Sequence, residues 1–375
     1  LSDTSFGEPE SAKDVSDSFP AGMPSDLAMA LRQAAQTTAG IRYIDSTGGK
    51  HRQSYADLWQ DAHKIAASLK ARHFKAGDWI VLQFVNSANL MAAFWGCLLS
   101  GCVPVPVAAS APSTGAASAK AVLEEHKVLL SALHLLEECA ILTEDALSCN
   151  LQTLLEATAE TVTTFPQLLI LERLRQSKPL QQSKPPSAPA PQERTPNPKK
   201  TPDADQVEPH LFEPDQIALM LLTSGSTGNP KGVLLTHQNL RVSAAGMATV
   251  NGLSAADITL NWMPLEHVAS LVMFHITEVY LGCEQIHVAR EHILKNPLTW
   301  LDLLSQYRAT VTWAPNFAYG LVNDQLDNDA LLQLDDDALS QLDNHALPRN
   351  STPAPATATK IGTAKETEEE AETET

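Results

Sequence analysis

The chain has 375 residues, 43% of them hydrophobic, with 44 acidic against 26 basic side chains and a formal charge of −18. That length suggests two or three units of about 150 residues each, and the apolar share is enough for a real core. The charge is uneven: residues 324–375 hold 13 Asp and Glu against 3 Lys and Arg, and no basic stripe argues for nucleic acid as a partner.

Residues 1–24 are polar and acidic and read as a linker. Because the chain starts at Leu1 with no signal-peptide pattern, it reads as a segment of something longer. Residues 25–36 carry a cap followed by helical spacing, Ile41 to Asp45 alternate like a strand, and Asp45 to Gly49 form a turn. Ser54-Tyr-Ala-Asp-Leu opens a helix whose apolar positions are Leu58, Ile65, Ala66 and Leu69. Residues 79–119 lack any charge, but Asn86, Ser87, Asn89, Gly96, Gly101, Pro104 and Pro106 interrupt the apolar run. A membrane span wants about 20 mainly apolar residues, so strand, buried helix and extended strand fit better. Val103-Pro-Val-Pro-Val is extended, since a residue before proline is pushed out of the α region.

Further along, residues 120–139 and 148–160 read as helices, with a strand at Ala140 to Thr143 between them and another within Thr164 to Glu172. Residues 175–210 hold eight prolines between Pro179 and Pro202 and read as a linker or surface insertion. Strands are expected near 259–262, 284–289 and 310–313, and helices over 236–248, 268–279 and 298–307, with one more starting after Ala314. Such alternation implies an α/β fold with mostly parallel sheets flanked by helices. From Gln325 the sequence runs through three near-copies at a period of eight, and then a Thr-, Ala-, Lys- and Glu-rich end. A period of eight is neither helical nor a coiled-coil period. The tract reads as acidic and low in complexity, and its end as disordered. The five cysteines (Cys97, Cys102, Cys139, Cys149, Cys283) show no CxxC spacing and read as reduced thiols of a cytoplasmic protein. The twelve histidines show no metal-ligand spacing, so metal ligands stay unassigned.

The chemistry concentrates in residues 217–240. An apolar run, Ile217 to Leu222, leads into Thr223-Ser-Gly-Ser-Thr-Gly-Asn-Pro-Lys-Gly232, followed by Val233 to Leu235 and a helix start at Thr236. Glycines let backbone N–H groups converge on an anion. The hydroxyls of Thr223, Ser224, Ser226 and Thr227 add donors, and Lys231 adds a point charge. The block is not a Walker A loop, because Lys231 is followed by Gly232 and a strand-like run rather than by Ser or Thr entering a helix. It reads as a polyphosphate site.

This block resembles the phosphate loop of the adenylate-forming (AMP-binding) superfamily, which includes fatty acyl-AMP ligases and the adenylation domains of hybrid peptide/polyketide synthases. Ser54-Tyr-Ala-Asp-Leu and Leu98-Leu-Ser-Gly-Cys-Val-Pro-Val resemble two of its structural motifs. Asn261-Trp-Met-Pro-Leu-Glu-His267 is similar to the loop that lines its acyl pocket. The resemblance implies a truncated N-terminal adenylation domain over 25–323. It implies ATP held by Thr223, Ser224, Gly225, Ser226, Thr227, Gly228 and Lys231, with Mg2+ beside the phosphates. His267 would orient the substrate carboxylate, and helix 268–279 with the run Trp313 to Tyr319 would wall the acyl pocket. The acyl-adenylate would pass to the thiol of coenzyme A or of a phosphopantetheinyl carrier protein. Met263 to His275 departs from the usual strings of fatty acyl-AMP ligases and of amino-acid adenylation domains. The family's Tyr-Gly-x-Thr-Glu string is absent as well, since Leu321, Val322 and Asn323 follow Tyr319-Gly320. An inactive remnant that serves as a binding module is the competing reading.

Overall fold

The computed structural model describes residues 24, 26–109, 126–136, 138–158, 166–176, 212–223 and 230–329, and residues 360–363. For 327–329 and 360–363 it describes the backbone alone. The first elements are α1 (Leu27–Ala34), β1 (Gly40–Ile44), β2 (Lys50–Ser54), α2 (Tyr55–Ala71), β3 (Trp79–Gln83), α3 (Ser87–Ser100) and β4 (Val103–Val107). Next come α4 (Lys127–Leu135), β5 (Cys139–Thr143), α5 (Asp145–Ala157), β6 (Gln167–Ile170) and α6 (Leu171–Gln176). The region around the glycine-rich motif supplies β7 (Ile217–Thr223), β8 (Lys231–Thr236) and α7 (His237–Asn251), and β9 (Ile258–Asn261) follows. A π-helical segment (Ala269–Ile276) then runs into α8 (Thr277–Leu281). The remaining elements are β10 (Glu284–Val288), α9 (Arg290–Lys295), α10 (Leu298–Tyr307), β11 (Val311–Ala314), α11 (Asn316–Asp329) and β12 (Lys360–Thr363).

Local chemistry explains the main boundaries. Ser54 and Asp57 close a reciprocal capping box at the start of α2, satisfying two backbone donors that a helix end leaves open. Asn86 caps α3, and Gly101 ends it in the left-handed region at φ 88°, which costs glycine nothing. Among the described residues β4 pairs only with β3, so Pro104 and Pro106 sit where their missing N–H groups break no inner ladder.

Strands β4-β3-β5-β6 form a wholly parallel sheet in that order. A second sheet runs β12-β11-β9-β10-β1-β2 and is parallel except for the β1–β2 pair. Strand alternation sorts the core into layers. Ile80 and Leu82 of β3, Ala140 and Leu142 of β5, and Ile41 and Tyr43 of β1 join one inner cluster with α1, α2 and α3. Val81, Val105 and Ile141 face the other way, onto α4 and α5. Ile44, Leu260, Ile286 and Val288 face α9, α10 and α11. Helices α2 and α3 thus lie between two sheets, each covered on its far side. The uncharged stretch at 79–119 contributes β3, α3 and β4 to this core, and no described helix is long and apolar enough to cross a membrane.

Several expectations change. Lys50–Ser54 adds a strand where no element was expected, and α6 carries Arg175 and Gln176 into the start of the expected linker. Arg175 is tied to Asp61 by a bidentate ion pair and to Asn89, so residue 175 belongs to the folded body. The expected α-helix at 268–279 is π-helical over eight residues. Helix α11 runs through Asp329, so it crosses the boundary drawn at residue 323. In the tail read as disordered, residues 360–363 pair with β11. The rest of the repeat tract, most of the Pro-rich segment and residues 1–23 lie outside the described residues.

Candidate functional site

Strands β7 and β8 form an antiparallel hairpin around the glycine-rich loop. Ala218 to Leu221 are buried, which anchors the hairpin in the core. At its open end Thr223 stands opposite Lys231, and the Thr223 hydroxyl donates to the Lys231 carbonyl at 3.4 Å. Both residues are exposed. The hairpin therefore brings the first hydroxyl and the lysine of the motif to the two ends of the seven-residue loop 224–230. Ser224, Gly225, Ser226, Thr227 and Gly228 lie in that loop, outside the described residues. After β8, Thr236 and Asn239 close a capping box that starts α7.

His267 ends the loop that follows β9. Its N–H donates to the Pro264 carbonyl at 3.1 Å, and its own carbonyl accepts from Leu271 N–H at 2.9 Å. The ring is exposed, and Nδ1 accepts from Ala269 N–H at 3.4 Å. In the neutral ring the proton then sits on Nε2, a donor suited to a carboxylate oxygen. Beside it, burial raises the Glu266 carboxyl above the ordinary range. No hydrogen bond among the described residues links His267 to Thr223 or Lys231.

Aromatic contacts bring the two expected pocket walls together. Phe274 of the π-helical segment meets Trp313 edge-on at 5.5 Å, and Trp262 meets Phe317 at 6.5 Å. Trp262 is 2% exposed, and its indole N–H has no acceptor among the described residues. Away from these walls, a cleft of about 820 Å³ opens between Phe74, Trp79, Leu135, Met220 and Leu234. It abuts Gly232, next to Lys231, but is lined by neither Thr223 nor His267.

A buried polar cluster that the strand pattern obscured is bonded to the loop after β9. Along β10 the polar residues Gln285 and His287 alternate with Ile286 and Val288, a pattern that predicts a solvated face. Gln285 is 0% and His287 4% exposed, because the π-helical segment and α3 cover that face. Asn261, on the neighbouring strand, reaches out of this cluster to the backbone of Met263: its Nδ2 donates to the Met263 carbonyl, and its Oδ1 accepts from Met263 N–H, both at 3.1 Å.

Residues 31–348 match the family model described as AMP-binding enzyme. The chain is 30% identical over 276 residues to the nonribosomal peptide synthetase acyN of Ascocoryne sarcoides, covering 73% of this chain and 26% of that protein. Among solved structures, it is similar to the adenylation domain of a keto acid-selecting nonribosomal peptide synthetase module bound to keto acyl adenylate. That match has 34% identity, covers 82% of this chain and 51% of the other, and has a TM-score of 0.66. A second is McyG A-PCP complexed with phenylalanyl-adenylate, with 32% identity, 81% and 49% coverage, and a TM-score of 0.67. The chain thus spans about a quarter of the curated relative and about half of each solved chain. With a family match over most of its length, alongside the glycine-rich hairpin and the layered parallel sheets, the chain belongs to the AMP-binding enzyme family.

Proposed function

We propose that this chain is the large-domain portion of an adenylation unit that activates a carboxylic acid at the expense of ATP. A carboxylate oxygen attacks the α-phosphorus, the bond from that phosphorus to the bridging oxygen breaks, and pyrophosphate leaves. The resulting acyl-adenylate passes its acyl group to the phosphopantetheine thiol of a carrier protein, releasing AMP. Carrier-protein transfer is favoured over coenzyme A because the similar chain in the McyG structure is an A-PCP pair.

The observation that carries this reading is the placement of Thr223 and Lys231 at the two ends of the glycine-rich loop. Loop N–H groups and hydroxyls would cradle the β- and γ-phosphates, and Lys231 would follow charge onto the departing pyrophosphate. His267, with its proton on Nε2, would hold a carboxylate oxygen in line for attack. Members of this family use ATP, typically with Mg2+. Among the described residues no group of three or more His, Cys, Asp or Glu side chains could hold a metal ion. The substrate proposed is an acid without an α-ammonium group, such as a 2-keto acid. This follows the departure of Met263 to His275 from the amino-acid string and the likeness to a keto acid-selecting domain.

The test is carboxylate-dependent ATP–pyrophosphate exchange by the complete protein with panels of keto and amino acids. Keto acids should support exchange, and Lys231→Ala should lower kcat by about 10²-fold, as expected for losing a charged donor to the reacting phosphates. Exchange with amino acids alone would overturn the substrate class. The chain of residues 1–375 by itself should bind ATP yet exchange poorly, because its sequence lacks the family's Tyr-Gly-x-Thr-Glu string. Robust exchange by that chain would show that it is catalytically sufficient.

A further inference from the structure

The buried polar cluster has one direction. Trp95 Nε1–H donates to His275 Nε2 at 2.8 Å. An indole nitrogen can only donate, so His275 Nε2 must accept, and the ring carries its proton on Nδ1. That Nδ1–H donates to Gln285 Oε1 at 2.9 Å. The same oxygen accepts from His287 Nε2–H at 2.8 Å, which leaves His287 Nδ1 to accept from Asn261 Nδ2–H at 3.3 Å. Asn261 spends its second N–H on the Met263 carbonyl, and its oxygen accepts from Met263 N–H and from the Ser270 hydroxyl. The Gln285 amide cannot be flipped. Its Nε2 donates to Tyr55 Oη at 2.6 Å and to the His275 carbonyl at 3.4 Å, while the Tyr55 hydroxyl donates to the Cys283 carbonyl at 2.7 Å. A flipped amide would set its oxygen against the His275 carbonyl and its N–H groups against two imidazole N–H groups.

We infer that Gln285 is a positioning residue for the Trp262–His267 loop: its amide oxygen fixes opposite tautomers on His275 and His287, and so locks Asn261 onto both backbone groups of Met263. The chain of bonds runs from α3 through the π-helical segment and β10 to β9. Every donor and acceptor of Gln285, Asn261 and the two imidazoles is used along it, so no member can turn without unsatisfying its neighbour. A buried unsatisfied group costs about 1–3 kcal/mol, which makes the all-or-none arrangement the favoured one. The inference deepens the proposed function, because it assigns the positioning of the loop thought to present His267 to the carboxylate.

The first test is ¹⁵N NMR of the histidine rings in the 375-residue chain. His275 should be protonated on Nδ1 alone and His287 on Nε2 alone. Identical tautomers on the two rings, or exchange between tautomers, would overturn the inference. The second test is hydrogen exchange at the Met263 amide. Gln285→Met, and Trp95→Phe at the far end, should each speed exchange by about tenfold, the expected result of freeing one buried hydrogen bond. Leu154→Val, a core change in the separate cluster under α4 and α5, should not. An unchanged Met263 rate in folded Trp95→Phe would overturn the relay, and if that variant does not fold, the tautomer measurement still decides. In the complete protein, Trp95→Phe should raise KM for the carboxylate while leaving KM for ATP unmoved. Faster Met263 exchange with both KM values unmoved would sustain the relay but reject the loop as the carboxylate site, so the two failures are distinguishable.

Discussion

Glu278 is 2% exposed, bonded to Thr259, and its Oε2 has no hydrogen-bond partner among the described residues. Burial pushes its carboxyl up to about 8, so the folded chain keeps that proton at neutral pH. The unfolded chain gives it up near 4.5. Between those values the folded state binds more protons, and stability must fall as pH rises, by at most about 1.4 kcal/mol per pH unit. The histidines act in the opposite sense. Burial holds His275 down to about 4 and His287 well below its ordinary value, so both stay neutral where the unfolded chain is protonated. Their contribution is present above 6.5 and is lost as pH falls toward 4. The urea midpoint should therefore decline from pH 6.5 to 8 in the native chain and decline less in Glu278→Gln. Parallel declines would show that Glu278 ionises as freely folded as unfolded.

At the scale of elements, the α2–α3 contact turns on one missing side chain. A Cβ added at Gly96 would lie 2.5 Å from Ile65 Cγ2 and 2.7 Å from Ile65 Cβ. The second of these atoms cannot rotate away. Gly96→Ala should improve helix propensity by about 1 kcal/mol yet lose more by overpacking, which typically costs about 1–3 kcal/mol. Thermal denaturation should show a net loss, and a gain in Tm would mean that the helices can separate cheaply. Much of this layer was legible in the sequence. The Ser54 cap, the apolar spacing of α2, the Gly101 stop and the Val-Pro-Val-Pro-Val strand are local signals, and each stands where local chemistry puts it. What escaped was tertiary. Lys50–Ser54 is a strand because β1 offers an edge, although its residues carry no β pattern. The burial of Gln285 and His287 could not be read from β10 itself, because alternation reports two faces and not what covers them. The π-helical bonding of 269–276 leaves the same apolar periodicity as an α-helix. In the candidate site, Thr223, Lys231 and His267 were legible as motif members, whereas the Asn261 grip on Met263 depended on partners from distant segments.

The whole molecule is built so that no layer owns its strands. Strand β3 gives Ile80 and Leu82 to the inner core and Val81 to the cluster under α4 and α5. Strand β1 gives Ile41 and Tyr43 inward and Ile44 to the cluster under α10. Losing either outer cluster strips one face of a strand whose other face holds the inner core, so the three should melt together. The tryptophans report on separate places: Trp95 lies in the inner core, Trp262 and Trp300 in one outer cluster, and Trp79 against the other. Leu151→Ala, a truncation beside the four-stranded sheet at 1% exposure, should cost about 2–5 kcal/mol. It should shift the urea midpoints of tryptophan fluorescence and far-ultraviolet circular dichroism by the same amount, although Trp262 and Trp300 stand on the opposite side of the fold. Two separated transitions, with the fluorescence of the distant cluster unmoved, would show that each sheet keeps its own core. The central helices would then be a hinge between halves, and the hairpin of β7 and β8 would have to be assigned to one of them.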